Sequence, residues 1–304
     1  MRVFFDEHYV GAEYAFDTTR KAQHIANALK AGRVNEVTVV GPSDSHRETA
    51  ERHIGRVHAA EYVHAIRTGS DAELAGTNGF DWDPGIWRMA IHSTAGVIAA
   101  TEAAMCDGVS GSLSSGLHHA KPDNGDGYCT VNGLVVAASA HLERHPAHRV
   151  VIVDVDAHCG GGTAACLESA GLAGRVQHLD IYTSPFDRYR PVGADDVLVR
   201  GGQTDEEYLT DIAVLLDAIE WDQTDLVLYN AGMDPHPGIS AEALAERERL
   251  MFDTAAARDT AVAWVLAGGY TWAISMDQLV DLHLSTALAA ARSRSGKLAS
   301  RRTV

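Results

Sequence analysis

Two continuous apolar runs, V-V-I-V-D-V-D at residues 150–156 and A-V-A-W-V-L-A-G-G at residues 261–269, constrain the fold most strongly. An amphipathic strand with one wet face alternates apolar and polar residues. A run apolar at every position belongs to a strand covered on both faces, as in a parallel sheet between helical layers. Short runs rich in apolar and β-branched residues at 2–5, 36–40, 149–155, 175–181, 225–229 and 262–267 predict strands. Segments with helical periodicity separate them, and these predict helices over 18–31, 86–104, 134–142, 205–219, 241–257 and 271–291. Alternation of this kind specifies a three-layer α/β architecture with an open, mostly parallel sheet. In such sheets ligands sit beyond the carboxyl ends of the strands, which is where chemistry is to be sought.

With 304 residues, 46% hydrophobic and 22% charged, the chain can bury a large core without staples. One domain is expected over residues 1–292, followed by a polar, basic tail at 293–304 (SRSGKLASRRTV) that frays or caps a neighbouring subunit. A formal net charge of -16 repels phosphate backbones and argues against nucleic-acid partners. It suits a well-solvated surface, or a cationic substrate. Cys106, Cys129, Cys159 and Cys166 form no CxxC pair, so reduced thiols in a cytoplasmic protein are expected. The N-terminal MRVFFDEHYV turns charged at once and does not read as a signal peptide, and no apolar run reaches membrane-span length.

Four polar clusters follow predicted strands. In V-D-V-D-A-H-C-G-G-G-T, Asp154, Asp156 and His158 alternate at a spacing of two, so on an extended chain they share one face. Carboxylate and imidazole together are ordinary zinc ligands. In N-A-G-M-D-P-H-P-G, Asp234 lies just past a strand and could supply a third ligand, with His236 a rival on residue type alone. The S-G-L-H-H-A-K-P-D-N-G-D-G-Y-C segment presents adjacent His118 and His119, side chains able to act as acid and base near neutral pH. In L-A-G-G-Y-T, Tyr270 follows a buried strand and two glycines, where a phenol can donate to a developing oxyanion.

With these residues, in this order, the chain resembles the histone deacetylase and acetylpolyamine amidohydrolase family, which has the arginase/deacetylase type of fold. The resemblance extends from R-V-H-A-A-E-Y-V-H-A-I, beginning at Arg56, through F-D-W-D-P-G-I-W to L-A-G-G-Y-T. It implies a single domain with an eight-stranded sheet and one catalytic zinc ion per chain held by Asp156, His158 and Asp234. It also implies tandem catalytic histidines at His118 and His119, a transition-state tyrosine at Tyr270, and Asp154 as the carboxylate bound to the first histidine, beside a structural potassium ion. Gly127 and Tyr128 match the wall of the family's acyl-lysine tunnel.

The implied activity is hydrolysis of an N-acetyl or other N-acyl amine, a small molecule such as an acetylpolyamine or a biosynthetic intermediate. A protein acetyl-lysine deacetylase is the alternative; an arginase-like ureohydrolase and a non-catalytic metal-binding protein are more distant ones. Family members range from monomers to dimers, so a homodimer is an open expectation.

Two departures stand out. Gly161 replaces the Asp or Asn that orients the second tandem histidine, which leaves His119 less basic or oriented by water or another residue. Cys159 replaces a histidine beside the ligand strand, where a thiol is expected to serve packing. The family's early His-Pro-Glu segment is also absent, which leaves the entrance loop near residues 9–17 undefined.

Overall fold

The computed structural model describes residues 1–10 and 17–302, with side chains at 1–10 and 20–293. The entrance loop near residues 9–17 therefore falls largely outside the described residues. In chain order the elements are β1 (Arg2–Phe4), α1 (Asp17–Lys30), β2 (Thr38–Val40), α2 (Asp44–Val57), α3 (Ala60–Thr68), α4 (Ala72–Ala75), α5 (Ile86–Asp107) and β3 (Val109–Ser115). Then come α6 (Gly133–Arg144), β4 (Val150–Asp154), α7 (Gly161–Ser169), β5 (Val176–Tyr182), β6 (Val197–Arg200), α8 (Asp205–Asp217), β7 (Leu226–Gly232), α9 (Ala241–Ala257), β8 (Ala261–Ala267) and α10 (Met276–Arg302).

The eight strands form one sheet in the order β2-β1-β3-β8-β7-β4-β5-β6. Every pairing between neighbours is parallel. Successive side chains on a strand serve opposite faces. In β4, Val151 and Val153 join a core with α1, α8, α9 and α10, while Val150 and Ile152 join a second core with α2, α3, α5 and α6. Burial on both faces is why β4, β5, β7 and β8 are buried throughout.

Two strands differ from the sequence-based expectation. β3 (V-S-G-S-L-S-S) has almost no β-branched or aromatic residue, and β6 is a short, half-exposed edge. The small residues of β3 have a structural cause: Gly111 pairs with Trp264 of β8, and a Cβ at Gly111 would lie 2.1 Å from the Trp264 ring. One strand's missing side chain is the other's indole pocket. Helices α2, α3, α4 and α7 were also not anticipated, and α10 starts at Met276, not residue 271. Its backbone stays helical into the basic tail as far as Arg302; the tail's side chains from 294 onward lie outside the described residues.

No helix among the described residues is long and apolar enough to cross a membrane. Cys106 is exposed, and Cys129, Cys159 and Cys166 are buried free thiols. Burial pushes the Cys159 thiol up to about 12.

Two outcomes follow. Gly111→Ala is expected to lower unfolding free energy by about 1–3 kcal/mol, because the Trp264 indole sits in a packed core and has nowhere to go; urea denaturation reads this directly. A thiol reagent is expected to titrate one cysteine in the native protein, Cys106, and all four after denaturation; a second fast-reacting thiol in the folded state would contradict the buried position of Cys159.

Candidate metal centre and active site

The site gathers at the carboxyl ends of the central strands. Asp154 is the last residue of β4, and Asp156 and His158 follow on the loop it feeds. Asp234 lies two residues past β7, the strand paired with β4. His158 Nδ1 lies 3.1 Å from Asp156 Oδ1 and 3.0 Å from Asp234 Oδ2. Asp234 also accepts a 2.9 Å hydrogen bond from the Ala157 amide, which fixes it against the β4 loop.

The three donors occupy the corners of a small triangle. In a tetrahedral zinc site with bonds of about 2.0–2.1 Å, neighbouring donors lie about 3.3 Å apart. The two edges that meet at His158, 3.1 and 3.0 Å, are close to that length, and all three donors lie within 4.8 Å of one another, so these residues could hold one divalent cation. The charges point the same way. Burial and the Asp156 carboxylate push the Asp234 pKa up, as expected of two anions crowded out of water. Burial opposes charge on His158, but the two carboxylates outweigh it and carry its pKa up to about 10. His236 is not part of the group: its Nδ1 bonds to the Ile239 carbonyl at 3.1 Å, and it lines a different cavity.

The tandem histidines enter from the loop after β3. Asn132 caps α6 by accepting from the Val135 amide at 3.1 Å, and its amide group bonds Thr163 Oγ1 at 3.0 Å. The Thr163 amide in turn donates to the His118 carbonyl at 2.8 Å, so the starts of two helices clamp the histidine backbone. His118 Nδ1 donates to Asp154 Oδ2 at 2.7 Å, and His118 Nε2 stands 3.5 Å from Asp156 Oδ1. Burial works against the His118 charge, but Asp154 and Asp156 prevail and raise its pKa to about 10. His119 behaves oppositely: burial, reinforced by the charge on His118, holds its pKa below the ordinary value, although its Nδ1 lies 3.0 Å from Asp187 Oδ2.

His119, His158, Gly127, Tyr128 and Tyr270 line one cavity of about 350 Å³. Gly127 has φ +49, and a Cβ there would fall 2.5 Å from His119 Cδ2, so only glycine lets this wall pass so close to the imidazole. Tyr128, Phe186 and Trp272 at the mouth are 40%, 45% and 73% exposed, and Trp272 stacks on Tyr270 with ring centroids 4.5 Å apart. Three of the five large exposed hydrophobic side chains among the described residues thus surround one opening, which marks it as a binding surface.

Sequence reasoning missed several residues here. Lys21, on the amphipathic α1, looks like a surface lysine; it is fully buried, donates to the Gly268 carbonyl, and its charge is coupled to Asp234 and Asp156. Asp187 and Phe186 stand in a loop with no periodicity to read. Asp180 lies inside β5, a segment that reads only as a strand: burial and nearby Asp154 push its pKa well up. Asp180 Oδ1 and Asn230 Oδ1 are buried without hydrogen-bond partners on the two strands flanking Asp154.

Comparison with known proteins gives this geometry a context. The chain is 31% identical over 224 residues to an uncharacterized protein of Picosynechococcus sp., covering 70% of this chain and 74% of that one. It is 26% identical over 287 residues to histone deacetylase 2 of Arabidopsis thaliana, covering 88% of this chain and 72% of that one. The polyamine deacetylase HDAC10 of Homo sapiens is 30% identical over 129 residues, covering 39% of this chain and 19% of that protein. Among solved structures, an acetylpolyamine aminohydrolase of Burkholderia pseudomallei superposes with a TM-score of 0.71 at 19% identity, covering 98% of both chains, and so shares the fold. Residues 15–287 match the family described as the histone deacetylase domain, and the chain belongs to that family.

Proposed function

We propose that the chain is a zinc-dependent deacylase that hydrolyses the amide of a small N-acyl amine, with N-acetyl substrates foremost. One observation carries this reading: His158, 3.0–3.1 Å from the carboxylates of Asp156 and Asp234, lines the same cavity as His119 and Tyr270. Family membership supports a hydrolase of the deacetylase kind. Similarity to the human polyamine deacetylase and to the Burkholderia acetylpolyamine aminohydrolase supports a small acylated amine as substrate.

In this reading Asp156, His158 and Asp234 hold zinc, which when bound acidifies water and polarises the amide carbonyl. His119 is the group suited to take a proton, because burial and His118 hold it neutral. His118, bonded to Asp154, stays cationic and stabilises negative charge developing beside it. The Tyr270 hydroxyl donates to the oxyanion, and His119 then hands its proton to the leaving amine. The wall at Gly127 and Tyr128 guides the acyl-bearing arm, and the aromatic rim packs against its hydrocarbon part. The potassium ion beside Asp154 belongs to the same proposal, supported by the unpartnered oxygens of Asp180 and Asn230.

Metal content measured with amine release from N-acetylputrescine and from an acetyl-lysine peptide tests the reading. One zinc ion per chain is expected, with loss of activity on chelation, recovery with Zn²⁺, and faster turnover of the small substrate; activity indifferent to chelators would defeat it. Tyr270→Phe is expected to lower kcat by about 100-fold or more, equivalent to roughly 3 kcal/mol of oxyanion stabilisation, with little change in KM. Full turnover by that variant would remove Tyr270 from the chemistry.

A further inference from the structure

Resting on the reading of His119 as the proton acceptor, we propose that Asp187 is its positioning residue, delivered by the β5–β6 loop into space that Gly161 leaves open. The two carboxylate oxygens of Asp187 are fully engaged. Oδ2 accepts from His119 Nδ1 at 3.0 Å and from the Gly162 amide at the start of α7 at 3.1 Å. Oδ1 lies 3.3 Å from Lys121 Nζ, which also bonds Asp126 Oδ2 at 2.6 Å. The carboxylate is 8% exposed, so these contacts are made largely out of water.

Gly161 and Asp187 exclude each other sterically. A Cβ at Gly161 would lie 2.3 Å from the Asp187 carbonyl oxygen and 2.5 Å from its Oδ1. Any side chain at 161 would therefore displace the loop that carries the carboxylate. The loop is strapped along the ligand segment: the amides of Thr183 and Ser184 donate to the Ala157 carbonyl at 2.9 and 2.7 Å, and the Cys159 amide donates to Phe186 at 3.0 Å. Asp187 itself has φ +56, a left-handed conformation that Asp tolerates better than most residues but that still costs energy. Strain held in place by so many contacts is typical of a functional position.

The chemical consequence concerns the tautomer. A carboxylate on Nδ1 places the imidazole proton there and leaves Nε2 as the lone-pair nitrogen. Rotation of the ring is blocked from the other side by Gly127, whose backbone touches His119, and by Phe186, whose ring centroid is 4.9 Å from that of His119. Asp187 thus acts through His119 without touching the substrate.

The test uses the zinc-loaded enzyme with ¹⁵N-labelled histidine, the His119 signals being identified by their loss in His119→Gln. In the wild type His119 is expected to report the Nδ1–H tautomer alone. In Asp187→Ala, which removes the acceptor altogether, it is expected to become a tautomer mixture, with kcat lower by about 10- to 100-fold, KM within about twofold and zinc content unchanged. An unchanged His119 tautomer in Asp187→Ala overturns the proposal, as does a fall in kcat that merely tracks lost zinc. Lys121→Met probes the same link without altering the loop: a several-fold fall in kcat at constant KM is expected, and wild-type turnover in both variants rules the assignment out. If the wild type released amine from no N-acyl substrate, the functional reading would fail while the tautomer measurement would still decide the role of Asp187.

Discussion

Two buried carboxylates, Asp156 and Asp234, are forced against a single imidazole, and the rest of the architecture makes that arrangement tolerable. Each acid lies just past the end of a strand, and the parallel pairing of β4 with β7 sets both strands in register. Like charges at this separation in a dry interior repel strongly. Compensation comes from the imidazole of His158 between them, the imidazole of His118 behind Asp156, and the buried Lys21 amine on α1, whose pKa burial lowers to about 7 against the pull of Asp234 and Asp156. In the proposed reading a compact divalent cation would replace several of these partial compensations at once.

The same field explains why two adjacent histidines differ in character. Both donate Nδ1 to a carboxylate, at 2.7 Å for His118 and 3.0 Å for His119. Burial opposes charge on each. For His118 the sum of Asp154, Asp156 and Asp180 overcomes that penalty; for His119 the charge already present on His118 adds to it. The two pKa values therefore move in opposite directions, up for His118 among the strand-end acids and down for His119 beside the cavity, and in the proposed reading this separates one cation from one neutral base. Environments that drive neighbouring titratable groups apart are how one site assigns acid and base roles.

Much of this was legible in the sequence because its signals are local. The runs at 150–156 and 261–269 announce strands buried on both faces, and the acids and imidazoles at their ends stand out against apolar neighbours. β3 was not legible, since its reason for small residues is the Trp264 ring on a strand about 150 positions away. Lys21 follows the ordinary polar pattern of α1, and only tertiary packing reveals that it turns inward. Gly161 was visible as a departure from the family pattern, yet the carboxylate that occupies its space comes from a loop whose sequence carries no periodicity. Patterns along a chain report faces and ends; they do not report which distant segment fills a gap.

The position of β8 has a consequence for how the molecule comes into being. It is the last strand in the chain, yet it sits in the interior of the sheet between β3 and β7. During translation the earlier strands emerge with their central neighbour still unmade, so two half-sheets must wait with facing edges open until residues 261–267 clear the ribosome. Those edges are buried in the finished protein, and exposed their unpaired backbone groups invite pairing with other chains. The sheet is thus incomplete until β8 arrives, and no fragment released before that point can bring Tyr270 to the tandem histidines.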